Sequence, residues 1–449
     1  MNKQFNSSRR KFMLTSAAIS GGFALGLQLP VKAQDAVTGN DINIWVQINP
    51  DDTVTIKYAR CEMGQGSMTS APQIVADELD ASWDQVHIEY VDVNEHFRMD
   101  RAWGAMVTVG SQTIRNSQEY LRNAGASARA MLVAAAASEW GVPASEINVS
   151  NGVISHAISG RESGFGALAA AAAEQAVPET VTLKDPADWH IIGQSKPRVD
   201  IPPSVDGSQV YGVDVELPGM VYASMATSPV FGGSVISFDA TKALTRKGII
   251  DVVAIDGIAV AVVADNWWRA NKALAEVEIQ WDTKGNGEVS NETILAQFND
   301  SLAASDAAPM PNNTGDADQA LANAEQVLEA DYFTPFLSHS PMEPMGATVR
   351  ITGERVDIWA STQSPEGLVT EMANTLGVEE ENVYAHRVQA GGGFGSRGNS
   401  RNYARATALI AAELPDGTPV KMLWNREEDT QHDFYRPLAM YRLTGGLDP

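Results

Sequence analysis

Cysteine is nearly missing from this sequence: Cys61 stands alone among 449 residues. One thiol excludes a disulfide framework, a thiolate zinc site and an iron–sulfur cluster built within the chain. Cys61 itself reads as a small buried hydrophobe. If the chain handles electrons, they leave through a different polypeptide. Positive charge is also short, with 32 Lys and Arg against 56 Asp and Glu and a formal net charge of −24. A surface that acidic excludes a nucleic-acid partner and suits solubility or a basic protein partner. Long apolar runs are absent as well. The nearest, residues 13–29, is interrupted by Gly21, Gly22 and Gly26, too weak for a membrane span.

What is present begins at the N-terminus. Ser8-Arg9-Arg10-Lys11-Phe12 is a twin-arginine pattern, the mild apolar stretch follows, and Pro30-Val31-Lys32-Ala33 offers a small-residue cleavage site. The pattern predicts a signal peptide over residues 1–33 and a periplasmic protein exported by the twin-arginine route. That route carries folded proteins, so it implies a cofactor inserted before export.

The rest reads as an α+β chain. Alternation predicts strands at 42–48, 53–58 and 86–91, with a helix at 69–81 that carries Pro72 in its first turn. A long alanine-rich helix is expected at 114–140, a strand pair at 147–156 and a further helix at 167–174. Composition shifts near residues 197–206, which hold three prolines. Strands are then expected at 213–217, 220–225, 249–255, 258–263 and 277–281, with a helix at 267–275. Residues 304–316 read as a surface loop. Beyond it lie strands at 327–333, 347–351, 355–360, 383–389 and 420–424, and helices at 366–376 and 401–412.

Several Gly, Gln and Ser loops fall at strand-to-helix junctions, where α/β sites collect. Gly391-Gly392-Gly393-Phe394-Gly395-Ser396-Arg397 is the clearest. Its glycines permit positive φ and close backbone approach, and N–H groups near a helix start suit an anion. It is neither a P-loop nor a dinucleotide fingerprint. In Ser361-Thr362-Gln363-Ser364-Pro365, Ser364 is a candidate N-cap. The Gln363 amide could donate to an oxo or carbonyl group, or be a satisfied core amide. Gly64-Gln65-Gly66 and Gly110-Ser111-Gln112-Thr113 open two further helices. Each alone reads as a turn plus a cap; their recurrence raises them together.

Five segments then converge on one family: EMGQGSMTSAPQIVADEL (62–79), SQVYGVDVELPGMVYASMATSP (208–229), HSPMEPMGATV (339–349), STQSPEG (361–367) and QAGGGFGSR (389–397). In this order they resemble the molybdopterin-binding large subunit of the xanthine dehydrogenase/aldehyde oxidase superfamily, isoquinoline 1-oxidoreductase β-subunit type. The resemblance implies a molybdopterin-binding domain interrupted by a smaller hammerhead domain. Its first segment would span 34–200, the hammerhead 207–283 and the second segment 318–449. It implies a molybdenum–molybdopterin cofactor in the cytosine dinucleotide form, with no protein metal ligand. Gln363 matches the glutamine beside the molybdenum oxo group. Gly392, Gly393, Phe394 and Gly395 match the loop over metal and pterin, and Gly64, Gln65 and Gly66 the loop on the pterin side. Gly110, Ser111 and Thr113 fall where a phosphate or nucleotide tail would be held. Glu343 lines the substrate funnel or is a satisfied carboxylate. The implied partners are a small [2Fe–2S] subunit, a c-type cytochrome acceptor and a small-molecule substrate, an aldehyde or N-heteroaromatic hydroxylated with oxygen from water.

One departure counts against a complete catalyst. The family's base is a glutamate in a Gly-x-Gly-Glu segment near the end of the polypeptide, and none occurs here. The expectation is a C-terminally truncated chain, and the alternative function is an inactive cofactor- or partner-binding subunit.

Overall fold

The computed structural model describes residues 40–304 and 314–448. The twin-arginine pattern, the cleavage segment and most of the 304–316 loop lie outside the described residues. The first sheet holds β1 (Asn40–Asn43), β2 (Val46–Ile48), β3 (Val54–Tyr58) and β4 (Val86–Tyr90), in that order. The single strand expected at 42–48 is therefore two. Asn43 Oδ1 accepts hydrogen bonds from the N–H groups of Trp45 (2.9 Å) and Val46 (3.1 Å), and this turn folds the chain back on itself.

Strands β3 and β4 are parallel, and the crossover between them is helix α1 (Ser67–Leu79). Because α1 starts at Ser67, Pro72 lies inside the helix and not in its first turn. Helix α2 (Gln118–Trp140) crosses α1 at Gly125, where a Cβ would stand 2.3 Å from the Val75 carbonyl oxygen. Only glycine allows that approach. The long helix expected from 114 breaks at Asn116-Ser117 into a short turn, Gln112–Arg115, and α2. Both residues at the break are poor helix formers.

A seven-stranded mixed sheet carries the remaining core. Its members are β5 (Val221–Thr227), β6 (Ile249–Ile255), β7 (Ala259–Ala264), β8 (Gly346–Thr352), β9 (Arg355–Ala360), β10 (Val383–Arg387) and β11 (Val420–Leu423). The spatial order is β6-β7-β5-β11-β8-β9-β10, so strands from residues 207–283 join those from 346–423 through the parallel pair β5·β11. Helices α3 (Pro365–Leu376) and α4 (Asn402–Ala412) pack together, α4 against β8 and α3 against β10. Leu368, Met372, Tyr403, Ile410, Val349 and Ile358 are buried between these layers. No strand forms at 213–217. Tyr211 N–H donates to the Asp214 carboxylate at 3.0 Å and draws the chain into a 3₁₀ turn, Gly212–Asp214.

Apart from these layers, Gln326–Thr334 pairs antiparallel with Ala439–Leu447, a strand the sequence did not signal. On one face of this ribbon Tyr332 opposes Tyr441 and Ala330 opposes Leu443; on the other Arg442 binds Asp331 at 2.8 Å. No helix among the described residues is long and apolar enough to cross a membrane.

Candidate functional site

Loops remote in sequence meet at Gln363. After β9 the chain passes through Ser361-Thr362-Gln363 before Pro365 opens α3, and Gln363 ends up 2% exposed. Its Nε2 donates to the Thr108 carbonyl at 2.7 Å, while Thr108 N–H donates to the Gln363 carbonyl at 2.8 Å. Its backbone N–H donates to the Arg397 carbonyl at 3.0 Å, and its Oε1 accepts from Gly395 N–H at 3.3 Å. The amide is thus held at both ends and joins the 108 segment to the 391–397 loop. Ser364 occupies the N-cap position, but its hydroxyl makes no capping bond. It accepts instead from the Arg401 guanidinium at 3.2 Å, and that contact fixes the base of the loop.

The glycine loop presses on Gln363. A Cβ on Gly393 would lie 2.6 Å from Gln363 Oε1 and 3.0 Å from Met63 Sδ. Gly392 (φ +95°), Phe394 (φ +53°) and Gly395 (φ +113°) are in the left-handed region. Phe394 holds that conformation without being glycine and is 73% exposed, a strained placement of the sort that collects at ligand sites. The N–H groups of Gly392, Gly393 and Phe394 have no protein partner among the described residues, so the loop offers adjacent donors to an anionic or oxo group. That donor set fits the pterin and oxo contacts that the family resemblance implies.

Behind the loop, Arg397 donates to the carbonyls of Gly392 (2.8 Å) and Glu343 (2.6 Å) and to the Glu343 carboxylate (3.0 Å). The Glu343 carboxylate also accepts from Gly391 N–H at 2.8 Å and Ser361 Oγ at 3.1 Å. Of the two roles open to it, Glu343 takes the satisfied carboxylate. His339 lies on the other side of the loop, its Nδ1 2.9 Å from the Asp433 carboxylate. No group of His, Cys, Asp and Glu suited to a metal ion occurs among the described residues.

Sequence reasoning missed Glu62. This fully buried carboxylate accepts from the N–H groups of Gly64 (2.8 Å), Gly66 (3.0 Å) and Met68 (2.8 Å), filling the anion position at the start of α1. Gly64 and Gly66 therefore have their donors engaged. The exposed Gln65 folds its side chain back onto Cys61 O (2.8 Å) and Ser67 Oγ (2.7 Å). A carboxylate in the glycine-containing loop that leads into the predicted helix was the available signal. Tyr90 and Gln389 tie this loop to the glycine loop. Glu62 N–H donates to Tyr90 Oη at 3.2 Å, Tyr90 Oη to Gln389 Oε1 at 3.1 Å, and Gln389 Nε2 to the Glu62 carbonyl at 3.2 Å. Cys61 N–H donates to Thr108 Oγ1 at 2.8 Å, and burial pushes its thiol up to about 11. The 108 segment then runs outward. Gly110 (φ +57°) and Ser111 (φ +56°) are exposed, while Thr113 is buried.

Comparison with known proteins gives this geometry a family. Models of the molybdopterin cofactor-binding domain match residues 3–216 and 303–448. The chain is 28% identical over 98% of its length to the β-subunit of isoquinoline 1-oxidoreductase from Brevundimonas diminuta, covering 62% of that protein. It is 28% identical over 99% of its length to the membrane-bound aldehyde dehydrogenase [pyrroloquinoline-quinone] of Gluconacetobacter polyoxogenes, covering 59% of it. To a nicotinate dehydrogenase subunit of Pseudomonas putida it is 28% identical over 96% of its length, covering 35%. The chain thus spans less than two thirds of the length of each. With both matched segments supplying the loops that meet at Gln363, the chain belongs to the molybdopterin-binding subunits of the xanthine dehydrogenase/aldehyde oxidase superfamily.

Proposed function

We propose that this chain is the molybdenum-cofactor-binding subunit of a periplasmic oxidoreductase that oxidises an aldehyde or N-heteroaromatic carbon with oxygen from water. The observation that carries the reading is the meeting of Gln363 with Thr108 on one side and Gly393 and Gly395 on the other. When bound, the cofactor supplies the two-electron redox chemistry. The chain's own part is to hold and orient it. The free N–H groups at residues 392–394 receive anionic or oxo oxygens, and the Gln363 amide, closed off from bulk water, supplies a fixed dipole beside them. The cytosine dinucleotide form, with Gly110, Ser111 and Thr113 toward its tail, belongs to the same proposal. So do export by the twin-arginine route, a [2Fe–2S] partner and a cytochrome acceptor; a lone buried Cys61 is consistent with electrons leaving through a partner.

The test is purification of the protein with its co-purifying subunits, molybdenum analysis, and dye reduction with aldehydes and N-heteroaromatics. Stoichiometric molybdenum with turnover on one substrate class is expected. Folded, molybdenum-free protein from cells competent in cofactor synthesis would refute the proposal.

A further inference from the structure

Glu366 ties the 106–108 segment to the turn that carries Gln363. It stands in the first turn of α3, three residues beyond Gln363. One of its carboxylate oxygens accepts from Met106 N–H at 2.9 Å. The other lies 3.3 Å from His96 Nε2 and 3.4 Å from Arg101 Nε. The His96 hydrogen bond, with the Met106 N–H and the nearby positive charge, outweighs partial burial and holds the carboxyl below the usual carboxylate range. An ionised carboxylate only accepts, so His96 carries its proton on Nε2. Its Nδ1, buried and without a partner, then has only a lone pair.

The segment held by Glu366 follows a strained stretch. Asp100 (φ +55°) and Arg101 (φ +56°) are consecutive non-glycine residues in the left-handed region. Two such residues in succession persist only where surrounding contacts hold them. Beyond them three successive residues are pinned. Met106 N–H donates to Glu366, the Val107 carbonyl accepts from the Arg60 guanidinium, and Thr108 exchanges hydrogen bonds with Gln363.

This pinning decides which way round the Gln363 amide sits. Its Nε2 donates to the Thr108 carbonyl at 2.7 Å, and its Oε1 accepts from Gly395 N–H at 3.3 Å. Turned end for end, the amide would set oxygen against oxygen at Thr108 and N–H against N–H at Gly395. In the observed orientation the second Nε2 hydrogen has no acceptor among the described residues, so one donor stays free. Without the Thr108 carbonyl, only the longer Gly395 bond would hold the amide.

We infer that Glu366 is a positioning residue: by latching Met106 it keeps the Thr108 carbonyl in place, which stops the Gln363 amide from rotating and leaves one of its N–H bonds available to a bound oxo group. The role rests on the redox function proposed above. Arg101 and His96 support it, since both bind the same carboxylate oxygen.

The experiment uses the purified complex with Glu366→Ala and Glu366→Gln. Asn374→Ala, exposed on the same helix, is the control. Amide exchange read by mass spectrometry is expected to speed up at least about tenfold at Met106 and Thr108 in Glu366→Ala. Exchange in β9 and α4 should stay as in wild type. In the same variant kcat should fall by about 10–100-fold, with KM within about twofold of wild type and molybdenum content unchanged. Glu366→Gln keeps an oxygen for Met106 and should fall between wild type and Glu366→Ala; Asn374→Ala should match wild type. Unchanged exchange at 106 and 108, faster exchange throughout, an unchanged kcat, or molybdenum lost in step with activity would each overturn the inference. If Glu366→Ala does not fold, Glu366→Gln is read against Asn374→Ala by the same measures. A wild type without molybdenum or turnover removes the proposed function, and this inference with it. A normal wild type with a fully active Glu366→Ala removes this inference alone.

Discussion

Arg397 Nη2 donates to Glu343 Oε2 across 3.0 Å, with the two side chains 0% and 9% exposed. Loss of either partner strands a charge away from water. Arg397 already carries a buried Nη1 without a partner, so it has little alternative satisfaction. Arg397→Met or Glu343→Leu alone is expected to cost about 3–5 kcal/mol, while the double variant recovers much of that loss. Chemical denaturation of the two single variants and the double reads this directly; strictly additive losses would contradict the clamp.

Gly393 gives the sharpest steric prediction. Its missing Cβ is what lets the loop lie against Gln363 Oε1 and Met63 Sδ. Gly393→Ala should destabilise the protein by about 1–3 kcal/mol through overpacking and lower its molybdenum content. Gly445→Ala is the control, since nothing lies within 4 Å of a Cβ there. Similar melting shifts in the two variants would show that the contact at 393 is not tight.

Asp357 governs the acid side of stability. Burial raises its carboxyl, but hydrogen bonds from His386 (2.8 Å), Arg355 (2.8 and 2.9 Å) and Arg350 (3.0 Å) outweigh it and hold the group well below the usual carboxylate range. A folded-state value below the unfolded one, about 3.9 for Asp, stabilises the protein above that pH. The contribution is lost as pH falls from there toward the folded value. Asp357→Asn should therefore weaken the protein at pH 7, and the gap to wild type should narrow progressively as pH falls below about 4. Urea midpoints across that range measure it; a gap that does not change with pH would exclude the ionised carboxylate as its source.

Much of this arrangement was legible in the residues, and the exceptions share a cause. Period-2 alternation found β3, β8 and β9, and the 3.6 period found α1, α3 and α4, because those signals lie within one element. The 42–48 strand failed because the Asn43 side chain supplies a local turn that alternation does not register. The 213–217 strand failed because apolar alternation there reflects burial of Val215 and Leu217 against Trp359, not strand pairing. Ala439–Leu447 was invisible because Gly445 and Gly446 weaken its strand signal, and its partner lies more than a hundred residues away. The glycine loops and Gln363 stood out as motifs. The Thr108–Gln363 bond and the Glu62 cap did not, since one spans 255 residues and the other depends on where α1 begins.

The two jaws around Gln363 differ in what they have left to give. The Glu62 carboxylate engages the N–H groups of Gly64, Gly66 and Met68, so that jaw is braced from within the chain. The 392–394 segment has its donors unmet and Phe394 held in a strained conformation. An occupant meets a preorganised wall on one side and an adaptable one on the other. The entropy lost on loading falls almost wholly on a three-residue stretch. Amide exchange should therefore slow there on cofactor insertion, with little change at residues 64, 66 and 68.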